Sequence, residues 1–422
     1  MLRKHKEVSI QDFYQLDLGS MWRYFKSETL AFWMICAYLF LEYVRPQSIY
    51  PAIDILPWTQ IAVLGALVGC FSDKSVRWAS SSINVWLSLF FVVILLSSFF
   101  AYWPDVSYSQ LKNLYTWIII YFLIINIINT ERRLFIFLCI FLIASFKLSL
   151  SLSITWAERG FSFTDWGLKG PPGFFENSGE LAIQMLVFWP LAWAFSLYLK
   201  PYISKIKYYA LLLMPITAVM VILGASSRGA QLALLAQLCL LNYRSILKPK
   251  ILVSSIVIFS ALWLILPQEQ KDRFQVVGDD RTSQQRLLYW ENGIEMMNQH
   301  PVLGVGFFNY IPYYERFHQS DMLYDRAELP HNIFIQVGTD SGYLGLSIFL
   351  IIMLAARRKM RLVGKALRTD ECHENRFPTG FNLSMLGFVV AGQFVTVAYY
   401  PFLWIHLAFV VVFFRIFKNI KV

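Results

Sequence analysis

Two arginines and one histidine stand in polar segments of a chain that is otherwise strongly apolar. Arg228 lies in the small-residue run 224–230, and an arginine at a helix start with accessible backbone amides is suited to bind phosphate. The same arginine could simply anchor a tight turn at a membrane interface, and the spacing leaves both interpretations open. His331 begins another polar stretch, and its imidazole can exchange a proton near neutral pH. With Arg286 between them in the chain, these side chains could hold an anion beside a proton acceptor.

A helix is needed to position Arg286. Thr282 can cap its start and Gln285 can bond back in a capping box, which places Arg286 in the first turn. Apolar residues then recur at helical spacing, at Leu287, Trp290, Ile294 and Met297. They predict an amphipathic helix that ends at the dipeptide 300–301 and lies with this face against an apolar surface.

A second helix start carries His331. The residues after it are unusually polar for a membrane span, and four of them share one helical face: Asn332, Gln336, Thr339 and Asp340. We expect this face to line a wet cavity, in which Asn332 and Gln336 could contact a substrate.

Further candidate substrate contacts come earlier in the chain. Lys147 lies in the outer half of an apolar run, where an ammonium costs roughly 2.5 to 3.5 kcal/mol unless it reaches the interface or binds an anion. Both interpretations stay open. The Gly- and Pro-rich loop 170–179 contains Asn177, which can cap the next helix. The charged residues near this loop could line a cleft or be ordinary loop residues: Arg159, Lys169, Glu176 and Glu180.

The elements that carry these residues are membrane spans. Hydrophobic residues make up 57% of the 422 residues and charged residues only 15%, which excludes an ordinary soluble domain. Because a helical crossing needs about 20 apolar residues, the sequence predicts an all-α integral membrane protein with about 12 transmembrane helices. The predicted spans are 28–44, 57–71, 83–101, 111–129, 134–154, 180–198, 207–224, 229–243, 250–267, 332–356, 381–399 and 402–417.

The distribution of lysine and arginine predicts the orientation. Of the 37 such residues, 25 fall in the segments on the side of the amino terminus, whereas 12 fall on the other side and six of those lie in one long loop. Cytoplasmic loops carry the excess, and long loops are exempt from the rule. Both termini should therefore be cytoplasmic and the long loop periplasmic. This divides the chain into 1–267 with nine spans, a periplasmic loop domain 268–330 with the amphipathic helix, and 331–422 with three spans.

Several function classes are disfavoured. The net charge of +10 is largely explained by the orientation, and no basic run with interleaved aromatic residues indicates nucleic-acid binding. The five cysteines show no metal-ligand spacing, and the adjacent pair 279–280 does not form an Asp-x-Asp arrangement, so we expect no metal and no cofactor. The amino-terminal residues lack the features of a cleaved signal peptide.

Taken in order, the motifs resemble those of the O-antigen ligase and polymerase superfamily. The resemblance covers residues 170–350. It is carried by the Gly-Pro-rich loop, the Ser-Ser-Arg-Gly-Ala turn at 226–230, Arg286 with Trp290, the pattern His-Pro-x-x-Gly-x-Gly-x-x-Asn-Tyr at 300–310, and His331-Asn332-x-x-x-Gln336 followed by Gly-x-x-Gly-Leu at 342–346.

This resemblance implies a metal-independent glycosyltransferase of the C-type architecture in the bacterial inner membrane, with its active site facing the periplasm. The donor would be a glycan on undecaprenyl pyrophosphate, and a ligase would transfer it to the lipid A core. Arg228 and Arg286 would hold the pyrophosphate, and His331 would be the catalytic base or orient the acceptor. Direct displacement would invert the anomeric centre.

The same residues also fit three other functions. A polymerase would transfer the glycan to another lipid-linked repeat. A transporter would bind the same lipid pyrophosphate without chemistry, although it should have a polar path through the bilayer, and here the ionisable residues gather at the outer face. The loop could also be a docking platform for polysaccharide-export partners.

Overall fold

The computed structural model of the chain describes residues 9–162, 167–243, 248, 271, 281–367 and 376–418. In these ranges every regular element is a helix, so the prediction of an all-α membrane protein is confirmed. The predicted span 250–267 lies outside the described residues, as does the acidic pair 279–280.

The helices follow the predicted spans closely. The first half of the chain contains α1 (Ile10–Tyr14), α2 (Leu18–Lys26), α3 (Leu30–Val44), α4 (Pro46–Ile49), α5 (Trp58–Ser72), α6 (Ser82–Phe99), α7 (Pro104–Gln110), α8 (Lys112–Ile127) and α9 (Glu131–Glu158). The described part of the second half contains α10 (Ser178–Leu199), α11 (Lys205–Gly224), α12 (Arg228–Leu241), α13 (Arg281–Gln299), α14 (Tyr310–Phe317), α15 (Ile333–Ala366), α16 (Phe377–Ala391) and α17 (Pro401–Phe417).

Side-chain caps explain where many of these helices begin. Each capping oxygen accepts a hydrogen bond from a backbone N–H that has no partner within the first turn. The capping residues of the long helices include Ser81, Thr130, Asn177, Ser204, Ser227 and Asn332.

Six described segments are long and apolar enough to cross a membrane: Ser82–Phe99, Pro104–Ile127, Glu131–Glu158, Ser178–Leu199, Lys205–Gly224 and Ile333–Ala366. Four further apolar helices, α5, α12, α16 and α17, are shorter. The chain is therefore a multi-pass membrane protein, and the count of 12 spans stays a prediction.

The helix ends fall into two groups, as the distribution of lysine and arginine predicts. At one end, Arg133 at the start of α9 bonds Glu28 before α3, with 2.9 Å between Nε and Oε2, and Thr29 donates to Asp73 after α5. At the other end, Trp103 before α7 donates to Asn309 at 2.7 Å. We call these the inner and outer ends. Which of them faces the periplasm stays a prediction.

One predicted span is shorter than expected. The span 381–399 corresponds to α16, which ends at Ala391, and residues 392–400 form an irregular connection to α17 at the outer end. Hydropathy predicted a span that was too long because this connection is apolar. Hydropathy does not distinguish side chains that contact lipid from side chains that contact protein. Val397, Ala398 and Tyr399 are almost completely buried within the protein.

Candidate functional site

His331 lies at the outer end, immediately before α15, in a backbone conformation that few non-glycine residues adopt. Its φ is +51°, and its N–H donates to the hydroxyl of Thr396 at 2.9 Å. The imidazole is partly exposed, with 25% of the side chain accessible, and Nε2 lies 2.9 Å from Oε2 of Glu328. The backbone is therefore held while the ring faces an accessible space.

Glu328 was not anticipated from the sequence. Its hydrogen bond with His331, together with the nearby positive charges of His331 and Arg286, holds the pKa of this carboxyl below its ordinary value. Arg286 is thus close enough for its charge to act on Glu328. We call Arg286, Glu328 and His331 the His331 cluster. Only the i, i+3 spacing of Glu328 and His331 in a polar stretch could have indicated this pair.

Trp290 connects α13 to the same place. Its indole N–H donates to the carbonyl of Pro330 at 2.8 Å, directly before His331. Trp290 lies four residues after Arg286, so both side chains project from the same side of α13. The helix that carries Arg286 is therefore attached to the backbone that carries the imidazole.

The predicted start of α13 was wrong, and of its predicted apolar face only Met297 is fully buried. The helix already includes Arg281, and the Gln285 side chain bonds the backbone of Asp321 and Leu323 instead of closing a capping box. The side chains of Leu287 and Ile294 are 56% and 47% exposed. The buried face consists of Gln285, Tyr289, Asn292, Gly293, Met296 and Met297. Apolar periodicity missed this face because its polar members are hydrogen-bonded inside the loop.

Arg228 begins α12 at the same end of the bundle. The tight turn expected here is present, because α11 ends at Gly224 and Ser227 caps α12, its hydroxyl 3.4 Å from the N–H of Ala230. Arg228 is partly buried. A contact path joins this start to α13: a Cβ on Gly229 would lie 2.5 Å from Phe394, whose ring centroid is 6.3 Å from that of Trp290. Close packing against Phe394 thus accounts for the glycine without a ligand.

The connection 392–400 brings these helices together. Besides Thr396, which binds the His331 backbone, the carbonyl of Gly392 accepts from Ile333 N–H at 2.8 Å. The hydroxyl of Tyr400 donates to Glu180, near the start of α10, at 2.8 Å. This role could not be predicted from the sequence, because the segment contains no charged residue.

Asn332 and Gln336 bind backbone groups. Asn332 is buried and accepts from the N–H groups of Phe334 and Ile335, and the Gln336 side chain accepts from Ala398 N–H at 3.2 Å. The face that we expected to line a wet cavity is thus packed against the protein, because the first turn of α15 and the connection 392–400 supply the backbone partners that water would otherwise supply. Their contact with a substrate stays a prediction.

The earlier substrate-binding candidates lie elsewhere on the outer half. The side chain of Lys147 is exposed on the surface of α9, and that of Arg159 is exposed at the end of this helix. Lys169 and Glu176 are exposed in the segment before α10, where Asn177 caps the helix by accepting from Gly179 N–H at 2.9 Å. The contact between Glu180 and Tyr400 links this segment to the connection 392–400, and their roles stay predictions.

Backbone N–H groups of the motif at 300–310 attach the long loop to the bundle. Val305 N–H donates to the carbonyl of Thr339 at 2.8 Å, and Phe308 N–H donates to the buried carboxylate of Asp340 at 2.9 Å. Gly304 has φ +70°, and a Cβ there would lie 2.1 Å from the Thr339 carbonyl. These residues hold the loop above α15 and so determine where Arg286 lies.

Comparison with known proteins agrees with this architecture. Residues 209–350, which contain Arg228, Arg286 and His331, match the family model described as O-antigen ligase. The chain has no significant match among proteins of curated function. The family implies a glycosyltransferase-like enzyme with lipid-linked glycan and lipid acceptor partners. The resemblance predicted from the ordered motifs is therefore confirmed over residues 209–350, which are similar to the O-antigen ligase family.

Proposed function

We propose that the protein transfers a glycan from undecaprenyl pyrophosphate to an acceptor hydroxyl at the periplasmic face of the inner membrane, most simply as an O-antigen ligase whose acceptor is the lipid A core. The observation that carries this proposal is the His331 cluster. A partly exposed imidazole bonded to a carboxylate lies beside one arginine, and a contact path through Trp290 and Phe394 leads to the helix start that bears Arg228.

The two arginines would stabilise the leaving group. When the acceptor oxygen attacks the anomeric carbon, the bond from that carbon to the pyrophosphate oxygen breaks and the electron pair leaves with the pyrophosphate. The developing charge needs nearby cations, and a planar guanidinium can bind two phosphate oxygens at once. Arg228 and Arg286 are suited to this role without a metal ion.

His331 would accept the proton of the acceptor hydroxyl. Glu328 can accept a hydrogen bond from Nε2–H, and this tautomer leaves the lone pair of Nδ1 available for the proton. The carboxylate then also stabilises the imidazolium that forms. If the hydroxyl attacks directly, opposite the departing pyrophosphate, the configuration of the anomeric carbon is inverted.

The test is transfer by the purified full-length protein, supplied with lipid-linked donor and acceptor but with no nucleotide or added metal. We expect product from the wild type and none from Arg228→Ala or Arg286→Ala. Arg228→Lys should recover only a small part of the activity, because an ammonium keeps the charge but loses the two-pronged geometry. The matched control is Arg326→Ala, which removes an exposed charge from the same outer loop.

The products distinguish the acceptors. Glycan attached to the lipid A core supports a ligase, and lengthened lipid-linked glycan supports a polymerase. If the wild type binds the lipid-linked donor and forms neither product, the enzymatic proposal is wrong and the transporter hypothesis gains support.

A further inference from the structure

A shallow cleft opens on the outer end of the molecule, and none of its lining residues belongs to the His331 cluster. It has a volume of about 500 Å³ and is lined by Trp103, Pro312, Glu315 and Arg316. Trp103 comes from the connection between α6 and α7, and the other three come from α14. The cleft therefore joins the long loop to the helical bundle.

Trp103 of this cleft belongs to a cluster of aromatic rings. The ring of Tyr102 lies 5.8 Å from Trp103, 4.9 Å from Tyr313 and 5.9 Å from Phe317, measured between centroids. The side chains of Tyr102 and Phe317 are 47% and 54% exposed. The backbone of Trp103 is held on both sides by Asn309, which accepts from its N–H at 2.7 Å and donates to its carbonyl at 3.3 Å. The aromatic surface is thus already ordered without a ligand.

The composition of the cleft suits a sugar. An indole and a proline ring offer flat apolar surfaces for the C–H groups of a pyranose ring, and rigid aromatic side chains bind at low entropic cost. A carboxylate accepts hydrogen bonds from hydroxyl groups, and a guanidinium donates them. An acyl chain would gain nothing from two charged side chains, so an oligosaccharide matches the cleft better than an acyl chain does.

The cleft also lies within reach of the proposed reaction centre. Glu315 accepts a hydrogen bond from Ala327 N–H at 3.1 Å, and Ala327 precedes His331 by four residues. Four residues span at most about 14 Å between Cα atoms. A glycan whose reacting end is at His331 could therefore extend into the cleft after a few sugar rings.

We infer that this cleft binds one sugar residue of the oligosaccharide chain, a few rings from the sugar that reacts. Trp103 would be the stacking surface, and Arg316 would donate hydrogen bonds to the sugar hydroxyl groups. The inference rests on the proposed function and adds a subsite to it. The oligosaccharide could belong to the donor or to the acceptor, and the two sources are separable by experiment.

Binding is tested first, without chemistry. The probe is the carrier-free oligosaccharide released by mild acid from the lipid-linked donor, added to the full-length protein in nanodiscs and followed by saturation-transfer NMR. We expect Trp103→Ala and Arg316→Ala each to raise the Kd about fivefold to tenfold. Trp78→Ala is the matched control, because Trp78 is 86% exposed and belongs to the inner end. Unchanged binding in both cleft variants would overturn the inference and leave the aromatic cluster as an interfacial anchor.

Kinetics then identify the source of the chain. Donors with one or several repeats are compared, and so are acceptors with intact or shortened glycans. A raised KM in Arg316→Ala for the longer donor alone assigns the cleft to the donor glycan, and a raised KM for the intact acceptor alone assigns it to the acceptor. If the KM values of Arg316→Ala equal those of the wild type for all four substrates, the subsite is contradicted. Transfer, and thus the proposed function, would remain intact. Arg316 is exposed, so this variant decides the matter even if Trp103→Ala fails to fold.

Discussion

Two clusters of arginine and carboxylate lie at opposite ends of this molecule, and they differ in access. At the inner end Arg133, Glu28 and Asp73 have side chains that are only 5%, 8% and 4% exposed. We call them the Arg133 cluster. At the outer end, 25% of the His331 side chain and 71% of the Glu328 side chain are accessible. Similar chemical groups therefore hold helices together at the inner end, whereas His331 and Glu328 stay accessible at the outer end.

The partners and the accessibility of the charged groups distinguish a structural ion pair from a candidate active site. The Arg133 guanidinium uses its N–H groups on Glu28, on Asp73 and on the carbonyl of Ile127, so its donors are directed to the protein. In the His331 cluster the imidazole has one nitrogen bonded to Glu328 and the ring remains partly accessible. Substitutions should therefore reduce stability at the inner end and activity at the outer end.

The largest effect is expected from His331→Ala. Loss of a general base reduces the rate by about 10²- to 10⁴-fold, and we expect the thermal midpoint to change little because the ring is partly exposed. The turnover number and the melting temperature of the purified protein are measured together. His318→Gln, in the same loop, is the control and should retain turnover. Normal turnover of the His331→Ala protein would contradict the proposed role of this imidazole as the base.

At the inner end the order of effects should be reversed. Arg133→Ala leaves two buried carboxylates without their partner, and breaking a buried ion pair costs about 3 to 5 kcal/mol. We expect a large fall in the thermal midpoint and normal turnover for the fraction that remains folded. Arg132→Ala, one residue earlier and only partly buried, provides the matched control. The comparison between the two ends fails if Arg133→Ala lowers turnover and leaves the midpoint unchanged.

A smaller effect is expected where backbone hydrogen bonds hold the outer loop. Gly304→Ala places a methyl group against the Thr339 carbonyl at a φ of +70°, and such strain costs of order 1 to 3 kcal/mol. Because this contact holds the loop that carries Arg286, turnover should fall as well as stability. Gly160→Ala is a close control, since Gly160 has a φ of +64° but open space around its Cα. Equal losses in the two variants would show that the φ strain alone, and not loop attachment, is responsible.

The inner end of the fold was easier to predict than the outer end. Apolar run length predicted most helices within a few residues, because length and hydropathy are what a bilayer requires of a span. The connection 392–400 escaped because its apolar residues contact other parts of the chain. Arg228, Arg286 and His331 stood out through local motifs, whereas Glu328 depends on how the loop folds back, and α13 buries Gln285 and Asn292 through long-range hydrogen bonds. Contacts of this kind leave no periodic trace in a sequence.

The smallest effect, and the most specific for the outer cluster, is expected from Glu328→Gln. Its lowered pKa means that the carboxylate is favoured in the folded protein, so it contributes stability above the ordinary glutamate range. That contribution is lost as the pH falls through the lowered pKa. Because Glu328 is largely exposed, we expect well under about 1 kcal/mol, visible only as a difference between the melting curves of wild type and Glu328→Gln.

This difference should be present near neutral pH and should disappear as the pH falls below the ordinary glutamate range and through the lowered pKa of Glu328. Turnover near neutral pH should fall about tenfold, since the glutamine amide carries no negative charge to stabilise the imidazolium and can present its NH2 group to Nε2 in place of an acceptor. The control is Glu158→Gln, another exposed carboxylate at the outer end, for which we expect no comparable loss of turnover. If the melting difference between wild type and Glu328→Gln instead grows as the pH falls, Glu328 is not held ionised by His331 and Arg286, and the contrast between the two clusters would rest on accessibility alone.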